Sequence, residues 1–243
     1  MSMARLHPGR VICGVGCGEK MNYEVTGATF PPPRERVERL EEGVRLLRKI
    51  FTSDTPVTYA GKYHRVNKLF FYYKPDEHIP IIVASAGPKT ASIAGRFADG
   101  FVTFLPTDIA KNTIFPSFEG AAKENNKDPD KMEKIAFIEL GYHPEDYDKT
   151  IEKLRPAACL LIPEVYQNVY DPVRLESISY MISDKVISNA FTVATSPEEV
   201  IKSFEERIKV GFNHIIIDDW TGMGDFPKDA EKIVSYFHEL YSE

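Results

Sequence analysis

The 243-residue chain is short of cysteine: three thiols, at Cys13, Cys17 and Cys159, are too few for a disulfide framework. No apolar run approaches the roughly 18 residues that a membrane-spanning helix needs, so no membrane partner is expected. Nor does a charged-then-apolar leader open the chain, which together with the few thiols points to the cytoplasm. Basic charge is not concentrated anywhere. Thirty Lys and Arg stand against 36 Asp and Glu, a net charge of −6, and this argues against a nucleic-acid partner. Sequence repeats and low-complexity linkers are missing too. What is present is an ordinary globular composition, 43% hydrophobic, in a length that suits one large domain or two small ones.

Five segments read as strands. The first, Arg10 to Val15, is a short apolar run ending in glycines, which suits burial on both faces, and loop rather than helix follows it. The others are Ile81–Ala84, Phe101–Phe104, Ile135–Ile138 and Ile215–Ile217. Between them, Val37, Leu40, Val44, Leu47 and Phe51 recur at spacings of three and four, the mark of an amphipathic helix. Alternating β-branched and aromatic residues around Ala60-Gly61-Lys62 predict an outlying hairpin over Val57–Tyr73 (about 55–75 with its flanks). A helix is expected over Pro88–Ala98, with the proline in its first turn. Ser196-Pro197-Glu198-Glu199 reads as N-cap, first-turn proline and capping-box glutamate of another, with Val200, Phe204 and Ile208 on one face and Gly211 as terminator. Residues 144–190 carry helical periodicity without an obvious strand and read as a helical insertion in a single domain, 1–243. Strands alternating with helices imply an α/β protein with a parallel sheet, either open or a barrel. A full barrel needs eight strands, and five fall short of it.

Two strand ends could carry chemistry. Gly14-Val15-Gly16-Cys17-Gly18-Glu19 places glycines at alternate positions, so that backbone can approach a flat or anionic ligand where parallel α/β folds bind theirs. It is not a dinucleotide fingerprint, because Glu19 stands where the third glycine would be. A tight turn without ligand is the plain alternative. Glu19 is the candidate acid: a carboxyl at a glycine-lined strand end is expected to be partly desolvated and able to hold a proton near neutral pH, although a solvated loop glutamate fits the position as well. Asn22 adds a donor and an acceptor. The second strand end, Ala84-Ser85-Ala86-Gly87-Pro88-Lys89-Thr90, runs into a helix whose first N–H groups favour a phosphate, with Ser85, Lys89 and Thr90 as possible side-chain donors. A simple helix cap is the alternative there, and the Walker spacing is absent. Cys13 and Cys17 lack a second ligand pair, so no metal site is expected. Asp218-Asp219-Trp220 closes the last strand, where the sole tryptophan could wall a pocket or merely pack.

Taken together these motifs are more specific. Gly14 to Glu19 with Asn22, Arg34-Glu35-Arg36, Gly61-Lys62-Tyr63, Pro80 to Pro88, Ala94-Gly95-Arg96, Gly100-Phe101-Val102, Ser196 to Val200 and Gly211 to His214 resemble the bacterial-luciferase-like superfamily. Within it the resemblance is to the dehydrogenases that use the deazaflavin coenzyme F420, among them glucose-6-phosphate and secondary-alcohol enzymes. Methylenetetrahydromethanopterin reductase and the flavin monooxygenases are more distant relatives. The resemblance implies a TIM (β/α)8 barrel of luciferase-like type, of which this chain holds the fourth to eighth strands, with Met1 beginning inside a family domain. Open parallel edges would then recruit partners, so self-association as a homo-oligomer, a dimer, is expected.

Position by position, the resemblance makes Glu19 the acid that protonates the deazaflavin ring. It makes Gly16, Cys17, Gly18 and Asn22 neighbours of the cofactor, and Ser85, Ala86, Gly87, Pro88, Lys89 and Thr90 the loop holding its phosphate-bearing tail. The family's catalytic histidine belongs to the portion not covered. The lysines of the sugar-phosphate enzymes are replaced in Phe104-Leu105-Pro106-Thr107 and near Asn189, which speaks against glucose 6-phosphate as substrate. The expected function is hydride transfer between coenzyme F420 and a small alcohol, carbonyl or pterin-type substrate. An FMN-dependent monooxygenase and a non-catalytic cofactor-binding remnant are the competing readings.

Overall fold

The computed structural model of the chain describes residues 1–220 and 226–241. It divides into two compact units, Met1–Gly18 with Pro31–Ile135, and Glu19–Phe30 with Ala136–Glu243.

In the first unit strand β1 (Cys13–Val15) is followed by the helix Pro33–Thr52, the hairpin of β2 (Val57–Ala60) and β3 (Arg65–Leu69), then β4 (Ile81–Ala84), the helix Pro88–Phe97 and β5 (Gly100–Thr103). Pairing is parallel, β1 to β4 with Val15 opposite Val83, and β4 to β5 with Ala84 opposite Val102. Next to β5 comes the start of β6 (Glu133–Tyr142), where the N–H of Glu133 donates to the carbonyl of Asp99 at 3.0 Å. Ile81, Ile82 and Val83 are fully buried, as an apolar run in a parallel sheet should be. The first strand is not. Cys13 and Val15 are half-buried and Gly14 is exposed, because among the described residues β1 pairs with β4 alone and forms an edge.

The helix Pro33–Thr52 buries a different set of residues from the expected stripe. Leu40 and Val44 go under, but Leu46 and Ile50 are buried where Leu47 and Phe51 were expected. The hairpin is the reason. It covers a second face of the helix, where Val57 closes on Leu46 and Ile50 with Tyr59, Val66 and Leu69 at the margin. Helix Pro88–Phe97 packs against the helix Phe115–Glu124, and the approach is close enough that a Cβ on Gly95 would stand 2.3 Å from the carbonyl oxygen of Phe118. Phe101 of β5 meets Phe118 edge-on at 4.8 Å beneath that contact.

The second unit contains the remainder of β6, longer at both ends than the four residues expected, with Ile138, Leu140 and Tyr142 buried. Tyr147–Leu154, Pro172–Ser179 and Asp184–Ala190 are helices, and Ile151, Leu154, Ala158, Ile182 and Ile187 form their common core. A short strand that the sequence pattern did not reveal, β7 (Thr192–Ala194), then pairs in parallel with β6, Leu140 opposite Thr192. The helix Pro197–Val210 starts at Ser196, whose Oγ accepts the N–H of Glu199 at 3.3 Å. The Glu199 carboxylate reaches one residue further back than a regular capping box, accepting the N–H of Thr195 at 2.7 Å. Gly211 ends this helix with φ of 118°, and the N–H of Phe212 returns to the carbonyl of Arg207. Strand β8 (His214–Asp219) pairs with β6, and the helix Phe226–Tyr241 closes the unit. In place of uninterrupted loop after β1, this unit opens with a five-residue helix, Lys20–Glu24.

Candidate functional site

The register of β1 and β4 puts Val15 opposite Val83, and just beyond it Gly16 lies beside Ala84. A Cβ on Gly16 would stand 3.2 Å from the Cβ of Ala84, tighter than ordinary contact, so a side chain there would fill the space between the strand ends. Gly18 has φ of 73°, a backbone state that costs residues with a Cβ but not glycine. It turns the chain out of β1 and into Glu19. Burial pushes the thiols of both Cys13 and Cys17 above the ordinary range, opposed for Cys17 by the nearby Arg36 and for Cys13 by the N-terminal amine. Protonated thiols of this kind pack and do not attack.

At the end of β4 the exposed Ala84, buried Ser85 and exposed Ala86 alternate, and helix Pro88–Phe97 begins with Gly87 as N-cap and no side-chain cap. The N–H groups of Lys89 and Thr90 therefore lie in a first turn that has no helical carbonyl to receive them. Lys89 and Pro88 are exposed. Two expected side-chain donors are committed elsewhere. Ser85 is 2% exposed and turns its hydroxyl onto the carbonyl of Val83, and the Thr90 hydroxyl donates to the carbonyl of Gly87 at 3.0 Å. The donors that this loop leaves uncommitted are therefore its first-turn backbone N–H groups and the exposed Lys89. An open groove of about 350 Å³ begins at Pro88 and Lys89 and runs between the two helices past Val37 to the ion pair of Glu41 with Arg96, 3.2 Å.

Glu19 and Asn22 belong to the second unit. Glu19 caps the helix Lys20–Glu24 from an extended backbone, and Asn22 Nδ2 donates to its Oε2 at 3.3 Å. Its carboxyl is exposed, which corrects the expected partial desolvation: the short polar helix that it starts buries no residue. Tyr23 and Phe30 meet edge-on at 5.3 Å and hold the return of this segment, and Glu24 accepts the N–H of Phe30.

A group that the sequence pattern did not single out is Glu139 on β6. Burial first, and then the neighbouring Asp218 carboxyl of β8, raise its pKa to about 7, although the Trp220 indole N–H that donates to it pulls the other way. The strand expectation stopped at Ile138, one residue short. Only the period-two alternation of a longer strand could have turned Glu139 toward Asp218. Trp220 packs against the helical core, and residues 221–225 of the loop beyond it lie outside the described residues.

Residues 1–214 match the family described as luciferase-like monooxygenase. An F420-dependent glucose-6-phosphate dehydrogenase of Mycobacterium avium (strain 104) is 32% identical over 220 residues, which are 88% of this chain and 65% of that protein. Among solved structures, an F420-dependent secondary alcohol dehydrogenase in complex with an F420-acetone adduct superposes with a TM-score of 0.87 at 36% identity, covering 93% of this chain and 69% of that one. The coenzyme F420-dependent tetrahydromethanopterin reductase from Methanopyrus kandleri superposes with a TM-score of 0.68 at 20% identity over 96% of this chain and 74% of its own, a likeness of fold. The chain spans about two thirds of the length of the curated relatives it matches.

Proposed function

The chain belongs to the luciferase-like monooxygenase family, whose barrel fold its parallel strands and helices follow, and from that premise we propose that it is a coenzyme F420-dependent oxidoreductase. The reaction is hydride transfer between the deazaflavin ring and a small alcohol or carbonyl compound, with pterin-type substrates as the wider class. The observation that carries this reading is the likeness, over nearly the whole chain, to the F420-dependent secondary alcohol dehydrogenase. Phe104-Leu105-Pro106-Thr107 and Asn189 replace the sugar-phosphate lysines, which favours a small carbonyl over glucose 6-phosphate.

The residues present fit such a ligand. Gly16 leaves backbone open at a strand end that an added Cβ would obstruct, with Cys17 and Gly18 following it. Ala86, Gly87 and Pro88 keep the neighbouring loop low, and the N–H groups of Lys89 and Thr90 with the Lys89 ammonium suit a phosphate. Ser85 shapes that loop through its bond to Val83. When bound, the deazaflavin accepts or donates the hydride, while the protein orients it and handles protons. Glu19 is the acid–base group of this reading, and Asn22 Nδ2 donates to its Oε2 at 3.3 Å. Three unpaired cysteines accord with a reducing, cytoplasmic setting, and exposed Met3, Leu6 and Tyr72 accord with self-association as a homodimer.

The test is turnover of 2-propanol with coenzyme F420, followed by loss of deazaflavin absorbance, in wild type and Glu19→Gln. The variant should lose about 100-fold or more in kcat while its Kd for the cofactor stays within about threefold, as befits an acid–base group. Equal loss of both would remove Glu19 from the chemistry. Binding of FMN with oxygen uptake would replace the reading by the monooxygenase one. Binding of F420 without turnover of any alcohol, aldehyde or pterin would make the chain a cofactor-binding remnant.

A further inference from the structure

One face of the first unit's sheet is graded in side-chain size. Phe101 of β5 turns its ring to Phe115 and Phe118 of the helix behind the sheet, at 5.5 and 4.8 Å. Strand alternation therefore turns Val102 to the opposite face, together with its register partner Ala84 and with Gly16, which lies beside Ala84. Along that row the side chain grows from a hydrogen at Gly16 to a methyl at Ala84 and an isopropyl group at Val102. The largest group stands at the tip of β5. Phe104, two residues past Val102 and so on the same face, is 54% exposed, while Thr103 is buried and its Oγ1 accepts the N–H of Leu105 at 3.2 Å, turning the chain just past the ring. The chain then enters a π-helical turn, Ala110–Ile114, in which the N–H of Phe115 donates to the carbonyl of Ala110, five residues back. Such turns are rare and gather at functional sites. From Thr103 to Ala110 the single charged side chain is Asp108, so this rim offers no cation to a phosphate.

We propose that Phe104 sets the size of the substrate. Its ring walls the β5 side of the open seat at Gly16 and Ala84, so a small, unbranched alcohol or carbonyl compound fits there and a ring-bearing one does not. The inference rests on the oxidoreductase reading and adds to it a residue that touches the substrate without entering the chemistry. A wall of this kind discriminates by contact alone, and a hydrophobic site separates substrates that differ by one methylene by about 10–200-fold.

Wild type and Phe104→Ala, each loaded with coenzyme F420, are compared in turnover of 2-propanol and cyclohexanol, and in titrations with acetone and cyclohexanone followed by deazaflavin fluorescence. The variant should raise kcat/KM for cyclohexanol relative to 2-propanol by about tenfold or more and lower the Kd for cyclohexanone by about as much, with the Kd values for acetone and for F420 within about threefold of wild type. Phe104→Trp, which enlarges the wall, should move the preference the opposite way, and it carries the test if the alanine variant fails to fold. Where wild type binds F420 but turns over neither alcohol, the ketone titration decides. Unchanged preference in both variants, with F420 bound as in wild type, overturns the role of Phe104 and leaves the oxidoreductase reading standing. Loss of F420 binding in Phe104→Ala overturns it as well, by making the residue a cofactor contact. If wild type does not bind F420, the oxidoreductase reading itself falls and the inference falls with it.

Discussion

Asp99 concentrates three donors on one oxygen. Arg48 Nη2 stands 2.6 Å from its Oδ2, the N–H of Ile81 2.7 Å and His78 Nε2 3.0 Å, so the carboxylate fastens the start of β4 to the long helix. Burial alone would raise its pKa, but the Ile81 N–H and the Arg48 guanidinium outweigh that and hold it below the ordinary value. Its contribution is therefore present above the unfolded carboxylate range and is lost as pH falls through the lowered folded value. Asp99→Asn should destabilise the chain by about 1–3 kcal/mol at pH 7, read from the urea midpoint, and the deficit should shrink toward pH 3. A deficit that does not change with pH would mean that shape, not charge, is what the residue supplies. At this scale the sequence was legible where backbone alone decides, as at Gly16 and Gly18, and illegible where a hydroxyl chooses its partner. Ser85 and Thr90 looked like ligand donors, yet each had a nearer carbonyl in its own turn.

The hairpin of β2 and β3 is held to the helix Pro33–Thr52 by two glutamates one turn apart. Glu42 accepts the N–H groups of Lys62, Tyr63 and His64 at 3.1, 3.1 and 2.8 Å, and Glu38 accepts Lys62 Nζ at 2.7 Å and Tyr63 Oη at 2.6 Å. Hydrogen bonds from Lys62 first, then Tyr63 and Arg34, lower the Glu38 pKa to about 2. Glu42→Gln replaces one acceptor oxygen by a donor facing two of these N–H groups. Hydrogen exchange over residues 61–64 should speed up about tenfold, while the global unfolding midpoint moves little, because this clamp lies at the surface. Exchange that stays slow would show the turn to be self-sufficient through the bond from Gly61 N–H to His64 carbonyl. The same hairpin explains what the helix period concealed: periodicity identifies one apolar face, and a second buried face at Leu46 and Ile50 exists only because another element covers it. β7 escaped for a related reason. Three residues carry too little alternation to read, and its pairing with Leu140 to Tyr142 is a long-range fact.

Across the whole molecule the carboxylates pull stability in opposite directions along the pH axis. Glu38 and Asp99 have lowered values, so what they add is lost as pH drops below the ordinary carboxylate range, toward about 2 for Glu38. Glu139 has the reverse sign. Its folded value of about 7 lies above the ordinary 4.5, so between those limits the folded chain holds a proton that the unfolded chain has released. Stability contributed by that proton is complete below about 4.5 and is lost as pH rises through 7. Alternation of strands and helices made the parallel α/β order readable, and family resemblance made it a barrel. This pair was invisible to both, because Trp220 and Glu139 stand 81 residues apart and meet only through β6 and β8. The expected melting profile therefore climbs from acid, peaks near pH 5 and declines toward pH 8. Glu139→Gln removes only the decline: its curve should run close to wild type in shape below pH 5 and stay level where wild type falls, so that the difference in Tm between variant and wild type grows from pH 5 to pH 8. Calorimetry or circular dichroism at half-unit intervals checks this, and parallel curves would mean that the alkaline side is set by groups other than Glu139.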